Sequence, residues 1–232
     1  MDPLTEAFAN VARTLAAEGS VEATLQRLVH LAVSTITGCD HAAVTVVSGK
    51  TFETAAATDD VPHQVDAIQY ETGEGPGLDA IRQHDLFSTD DLAEERRWPN
   101  FARRAAAVTG VRSMISYRLF IEESTMGALN LYSRQRGAFD AEDKAEGSIF
   151  AAHAAVALAA AYQKEHLQEA LASRDVIGQA KGILMAQQNV DADQAFDILR
   201  RASQRLNMKL RDLAKQVTEG SAAPEAYPNH VG

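Results

Sequence analysis

From Asp140 to Pro224 the chain contains no proline, and the first half of that span, residues 141–187, is dense in alanine. Proline breaks or kinks a helix and alanine is the strongest helix former, so this stretch can run as one long helix. Asp140 with Asp143 three residues on resembles an N-cap arrangement for its start. Ile149, Val156, Ala160, Gln163, Leu167, Ala170 and Ile177 lie on a rough seven-residue seam with a polar middle over 162–169. A seven-residue repeat turns one stripe of a helix toward a partner helix, so the spacing predicts a parallel homodimer through this segment.

The long helix is expected to end near Gln188-Asn189-Val190. Asp191 with Gln194 completes a capping box that opens a second helix. Its apolar stripe is Ala195, Ile198, Leu199 and Ala202; Phe196 beside it is read as core rather than as a stacking platform. Asn207 suits a left-handed turn, after which Leu210, Leu213, Ala214 and Val217 define a third helix that stops at Gly220. The tail, residues 221–232, carries two prolines and reads as disordered.

Upstream, the pattern is mixed. Two helices are expected over 4–37, broken at Gly19-Ser20, with Ser20 capping the second. The β-branched run at 42–47 and the stretch 51–57, joined by Ser48-Gly49-Lys50, read as a hairpin; 113–121 and 126–132, around Glu122-Glu123-Ser124, read as another. Short helices are expected over 61–70, 78–82 and from Trp98-Pro99 to Val108, with a short strand at 86–88. Residues 71–77, with three glycines and a proline, are expected to form a loop.

The formal net charge is −10, which on its face opposes a nucleic-acid partner. The charge is divided, however. Between residues 200 and 215 six cations (Arg200, Arg201, Arg205, Lys209, Arg211 and Lys215) face Asp212 alone, a net of +5 against −15 for the remainder. Such a cluster can neutralise phosphates, or it can merely solvate a surface helix; charge alone leaves both readings open.

Cys39 is the single cysteine, which excludes an intrachain disulfide framework and a cysteine-rich zinc site. Seven histidines are scattered without ligand-like spacing, and neither a Gly-x-Ser-x-Gly elbow nor a P-loop is present, so no catalytic or metal site is assigned. Asp59-Asp60 and Asp90-Asp91 read as turn residues. No uninterrupted apolar run reaches the ~20 residues of a membrane span, and no signal peptide is evident, so the expected location is cytoplasmic.

The segments Arg174-Asp175-Val176-Ile177-Gly178-Gln179-Ala180-Lys181-Gly182-Ile183-Leu184-Met185, Gln194-Ala195-Phe196-Asp197-Ile198-Leu199-Arg200 and Asn207-Met208-Lys209-Leu210-Arg211-Asp212-Leu213-Ala214 together resemble an ANTAR domain. That family comprises three-helix RNA-binding modules of bacterial antiterminators, which bind paired hairpins and prevent a terminator from forming. Residues 20–160 resemble a GAF domain at Gly73-Glu74-Gly75-Pro76, Arg97-Trp98-Pro99, Gly110-Val111-Arg112-Ser113 and Gly127-Ala128-Leu129-Asn130-Leu131-Tyr132. Such domains often carry Cys directly after the Gly-Pro pair; Gly77 stands there in this chain, which weighs against thiol-based sensing.

The resemblances imply an α+β chain: a GAF-like sensor over 1–160, with an antiparallel sheet and flanking helices, then a long linking helix and a three-helix ANTAR bundle over 161–220. They also imply RNA hairpin pairs as partner, contacted through Lys181, Arg200, Arg201, Ser203, Arg205, Asn207, Lys209 and Arg211. Asn207 has helix ending as its other role, and Ala180 and Gly182 are assigned to packing. Gly75, Pro76, Trp98 and Tyr117 are assigned to a pocket for a small molecule of unidentified class, Trp98 having packing as its other role. The input is either that molecule or an upstream signalling protein. The competing readings are a DNA-binding helix-turn-helix regulator, a dimeric scaffold, and a methionine sulfoxide reductase-like enzyme, for which one cysteine is too few.

Overall fold

The computed structural model describes residues 3–48, 51–83, 85–121 and 124–220. The Gly49-Lys50 part of the first expected turn, Glu122-Glu123 of the second, and the tail from Ser221 lie outside them, as do His84 and His230. In chain order the elements are α1 (Pro3–Ala16), α2 (Val21–Thr35), β1 (His41–Ser48), β2 (Thr51–Ala57), α3 (Asp60–Thr72), α4 (Pro76–Gln83) and β3 (Phe87–Thr89). They continue with α5 (Ala102–Thr109), β4 (Ser113–Ile121), β5 (Ser124–Ser133), α6 (Ala141–Gln188), α7 (Ala192–Leu206) and α8 (Leu210–Thr218). The fold is α+β, with one five-stranded sheet in the order β2-β1-β5-β4-β3 whose neighbouring pairs are all antiparallel.

The chain divides into two compact units, Met1–Gln163 and Lys164–Gly232. In the first, successive strand residues point to opposite faces and both faces are covered. One face, with Val44, Val46, Ile115, Tyr117, Leu119, Leu129 and Leu131, packs on Leu25, Leu28, Val29 and Ala32 of α2 and on Phe150, Ala154 and Leu158 of α6. The other, with Ala43, Met114 and Tyr132, packs on Val65 and Ile68 of α3, Trp98, and Phe101, Ala102 and Ala105 at α5. Ala80 and Ile81 of α4 cover Ala128 on that same face.

Local capping sets the helix boundaries. The Ser20 side chain accepts from the Ala23 N–H at 3.2 Å, and Asp140 accepts from the N–H groups of Glu142 (2.8 Å) and Asp143 (3.0 Å). The expectation of a loop over 71–77 is corrected. Helix α3 runs on through Thr72, Gly73 (φ 68°) closes it with its N–H on the Gln69 carbonyl, and Pro76 already opens α4. Glycine in the left-handed conformation is a helix C-cap, and proline fits a first turn whose N–H groups lack helical partners anyway. These residues therefore mark a helix end and a helix start rather than excluding both. Helix α5 begins at Ala102, later than expected, because Trp98–Phe101 form the turn before it.

α6 contains an 18-residue window of mean hydropathy 1.2, long and apolar enough by composition to cross a bilayer. A third of that window is buried within the protein, and Phe150, Ala151, Ala154, Ala155 and Leu158 of this helix pack in the sheet core.

Two glycines should respond oppositely to alanine. A Cβ on Gly127 would overlap the Thr45 carbonyl oxygen across the β1–β5 ladder, and backbone cannot swing aside. Gly178, within α6, has nothing within 4 Å. Gly127→Ala is expected to lower the urea midpoint sharply or prevent soluble expression, whereas Gly178→Ala should add up to about 1 kcal/mol of stability.

Candidate nucleic-acid interface

Three helices make the second unit. Ala180 and Leu184 of α6, Ala195, Leu199 and Ala202 of α7, and Leu213, Ala214 and Val217 of α8 are buried together. The capping box at the head of α7 is formed: Asp191 accepts from the N–H groups of Asp193 (3.0 Å) and Gln194 (2.8 Å), and the Gln194 side chain accepts from the Asp191 N–H at 3.1 Å. With Asp191, Asp193 and Asp197 toward its N-terminus and Arg200, Arg201 and Arg205 toward its C-terminus, α7 has its charges aligned with the helix dipole.

The residues assigned to RNA divide by what already occupies them. Arg201, Arg205 and Lys209 are exposed, and their side chains make no hydrogen bond or ion pair among the described residues. Arg200 is tied to Asp197 at 2.8 Å, and Arg211 to Asp212 at 3.5 Å. The Ser203 hydroxyl donates to the Met208 carbonyl at 2.6 Å, and Asn207 (φ 51°) ends α7 with its N–H on the carbonyls of Ser203 and Gln204. Ser203 and Asn207 therefore shape the α7–α8 turn around which the uncommitted cations are placed. Lys181 is half-buried, its Nζ 5.8 Å from the centroid of the Phe196 ring. Phe196 is 38% exposed, so its assignment to the core is corrected. It sits one residue, about 100° of helix rotation, from the buried Ala195.

In the first unit the four pocket residues do not converge. Gly75 and Pro76 are buried at the start of α4, and Trp98 is 3% exposed on the same face of the sheet, its Nε1–H donating to Asp79 Oδ2 at 2.8 Å. Tyr117 lies on the opposite face. Strand alternation turns Ser116 toward α4 and Tyr117 toward α6, where the Tyr117 ring fills the space a Cβ on Gly147 would take. Its assignment beside the other three is corrected.

The α3–α4 face of the sheet carries instead a buried polar group that sequence reasoning missed. Asp66 is fully buried; its Oδ1 accepts from Tyr132 OH (2.6 Å) and Gln69 Nε2 (3.0 Å), and its Oδ2 from Thr54 Oγ1 (2.9 Å) and, at longer range, Thr45 Oγ1 (3.4 Å). Burial pushes the Asp66 carboxyl up, against the opposing pull of these donors, and burial with the nearby Asp66 charge raises Tyr132 and Tyr70 as well. Asn130 Nδ2 donates to Thr45 Oγ1 at 3.0 Å, while Asn130 Oδ1 and the cross-strand Ser116 Oγ are buried without a partner among the described residues. Gly77 donates its N–H to Gln69 Oε1 at 3.0 Å, and any Cβ there would approach Asn130 Oδ1 to 2.8 Å. A hollow of about 220 Å³ opens elsewhere, lined by Ala93, Arg103, Ala106, Ala107 and Arg112, with none of the Asp66 group on its wall. Cys39 is buried, its thiol donating to the His41 carbonyl at 3.3 Å and pushed up to about 12 by burial.

Models of two families match the chain: the GAF domain over residues 18–159 and the ANTAR domain over 165–217. No curated protein matches. Among solved structures, the chain is similar to the GAF domain of an Acinetobacter phosphoenolpyruvate-protein phosphotransferase (TM-score 0.57, 13% identity, 70% of this chain and 96% of that one). It is also similar to the corresponding GAF domain from Coxiella burnetii (TM-score 0.56, 14% identity, 70% and 96%). A third likeness is to the free methionine-R-sulfoxide reductase of Neisseria meningitidis in complex with its substrate (TM-score 0.52, 16% identity, 69% and 91%). At these identities the likeness is one of fold.

The Asp66 group yields a signed prediction. Because its folded pKa is raised, the unfolded chain ionises first as pH climbs past the ordinary aspartate value near 3.8, and the folded state loses stability until the folded pKa is passed. Thermal midpoints of Asp66→Asn should therefore rise relative to the parent protein across that window. Asp66→Ala, which strands the Tyr132 hydroxyl, should cost about 1–3 kcal/mol in urea unfolding.

Proposed function

The chain belongs to the GAF domain family and carries an ANTAR domain behind it, and on that premise we propose that it is a transcription antiterminator that binds paired hairpins in nascent mRNA leaders. ANTAR domains are RNA-binding antiterminator modules and GAF domains are sensory. The observation that carries the reading to this chain is the trio Arg201, Arg205 and Lys209, exposed and uncommitted around the Asn207 turn. Cations free of internal partners can release counterions from a phosphate backbone at no cost in broken ion pairs. Hairpin loops supply such phosphates beside splayed bases.

The sensory input falls on the α3–α4 face of the sheet, where a fully buried carboxylate has hydroxyl, amide and phenol partners and two buried polar atoms have none. A small molecule held there, or an upstream signalling protein that shifts α4, would act on the same group. The GAF unit is not a catalyst in this reading. The Cys39 thiol is buried and held protonated, and thiol redox chemistry of the sulfoxide reductase kind needs a reachable thiolate and a resolving partner.

Two RNA hairpins call for two ANTAR modules, and α6 offers the means. Ile149 (43% exposed), Val156 (67%) and Leu167 (61%) lie on its seven-residue seam, and Leu171 (53%) is exposed near it. A second copy of the helix, packed in parallel, would cover these apolar side chains.

The test is a salt-titrated binding assay with a dual-hairpin RNA beside duplex DNA of equal length. Arg201→Glu and Lys209→Glu should each weaken RNA binding tenfold or more and flatten the salt dependence by about one cation's share. Ser203→Ala should cost about 1 kcal/mol of stability and leave the salt slope alone. Unchanged RNA binding in folded Arg201→Glu and Lys209→Glu proteins would sink the proposal. Val156→Glu should lower the mass measured by light scattering to that of a monomer and reduce affinity for paired hairpins more than for a single one.

A further inference from the structure

We propose that Phe196 is a stacking platform for an unpaired base of the bound RNA, with Lys181 and Arg200 beside it. The inference rests on the RNA-binding reading and adds to it a contact that the cationic trio does not supply. Phe196 is the single Phe, Trp or Tyr between residues 164 and 220, and it is 38% exposed where Ala195, Leu199 and Ala202 of the same helix are buried. A phenyl ring more than a third exposed leaves apolar surface in water that a stacked partner would cover.

Its surroundings are those of a nucleobase site. Lys181 reaches over from α6 to place Nζ 5.8 Å from the ring centroid. Arg200 follows Phe196 by one helical turn, on the same side of α7, held there by Asp197 at 2.8 Å. Met185, 38% exposed, follows Lys181 by one turn on α6. An aromatic face beside a cation matches an unpaired nucleotide on two counts: the base stacks on the ring and the Lys181 ammonium offers charge to its phosphate. Every base has such a face, so the platform would add affinity for exposed loop bases with little sequence preference. A base-paired duplex, whose bases are already stacked on one another, would gain nothing from it.

The experiment uses the full chain with Phe196→Leu and Phe196→Trp, each checked for native helicity, against the dual-hairpin RNA and against the same RNA with abasic loop positions. Phe196→Leu should weaken binding to the intact RNA on the order of ten- to a hundredfold, with the salt slope unchanged, while Phe196→Trp retains it. Abasic loops should weaken the parent protein by a similar factor and Phe196→Leu no further, which ties the ring to the base. If Phe196→Leu binds intact RNA as the parent does while Arg201→Glu does not, the stacking inference fails and RNA binding stands. If Phe196→Leu changes only the oligomeric mass, the ring belongs to a protein contact and the inference fails again. If the parent protein itself does not prefer RNA to duplex DNA, the reading beneath the inference fails first.

Discussion

A single unbroken helix, Ala141–Gln188, contributes side chains to two separate cores. Phe150, Ala154 and Leu158 fill one face of the sheet, and Ala180 and Leu184 form the floor of the three-helix unit. Between them the stretch from Gln163 to Ala172 is mostly exposed. That stretch has no core of its own, so it depends on its hydrogen-bond ladder and its helix-forming composition to stay continuous. The absence of proline is what allows it. Small residues serve the same end where the helix meets the sheet: Gly147 gives room to the Tyr117 ring, and alanines at 151, 154, 155 and 157 keep the approach close.

The two faces of the sheet differ in chemistry. Against α2 and α6 the packing is aliphatic and aromatic, as expected of a structural interface. Against α3 and α4 a buried carboxylate organises the elements: Asp66 and Gln69 come from α3, Thr45 from β1, Thr54 from β2 and Tyr132 from β5. Burying an aspartate with neutral donors and no cation is costly, and the two unpartnered atoms of Ser116 and Asn130 add to that cost. Core packing alone would be served better by apolar side chains of similar size. A group that is costly for stability and links four elements is suited to a region that responds to a ligand or to a partner's touch.

The fold was legible where its causes are local. The caps at Ser20, Asp140, Asp191 and Asn207 each rest on residues within four positions, and the helices begin or end at them. The α3–α4 junction departs from the loop its composition suggests because Gly73 and Pro76 oppose a helix only in its interior; in these positions they terminate one helix and initiate the next. The neighbours of Tyr117 are not legible in the sequence, because strand alternation fixes which residues share a face but not which helix covers it. The exposure of Phe196 is not legible either, because a helix stripe has a blurred edge and one residue of rotation separates burial from exposure. The Asp66 group was invisible for a different reason. Gln69 is three residues along the same helix, but the other partners lie 12, 21 and 66 residues away in the chain, and only the assembled sheet brings them together.

The charge distribution bears on how this chain could select RNA. A body of strongly negative charge repels polyanions at long range, so nonspecific attraction to nucleic acid is weaker than for a basic protein of the same size. Within the three-helix unit the acidic residues Asp191, Asp193 and Asp197 also confine the positive field to one end of α7. Two of the cations, Arg200 and Arg211, are already paired with Asp197 and Asp212. Long-range attraction is therefore a small part of what such a surface can offer. What remains is short-range: the free side chains of Arg201, Arg205 and Lys209 at the α7–α8 turn, and an aromatic face beside Lys181. Contacts of that kind depend on geometry more than on charge density, and under the proposed function they would favour a folded RNA with exposed loop bases over any polyanion of equal charge.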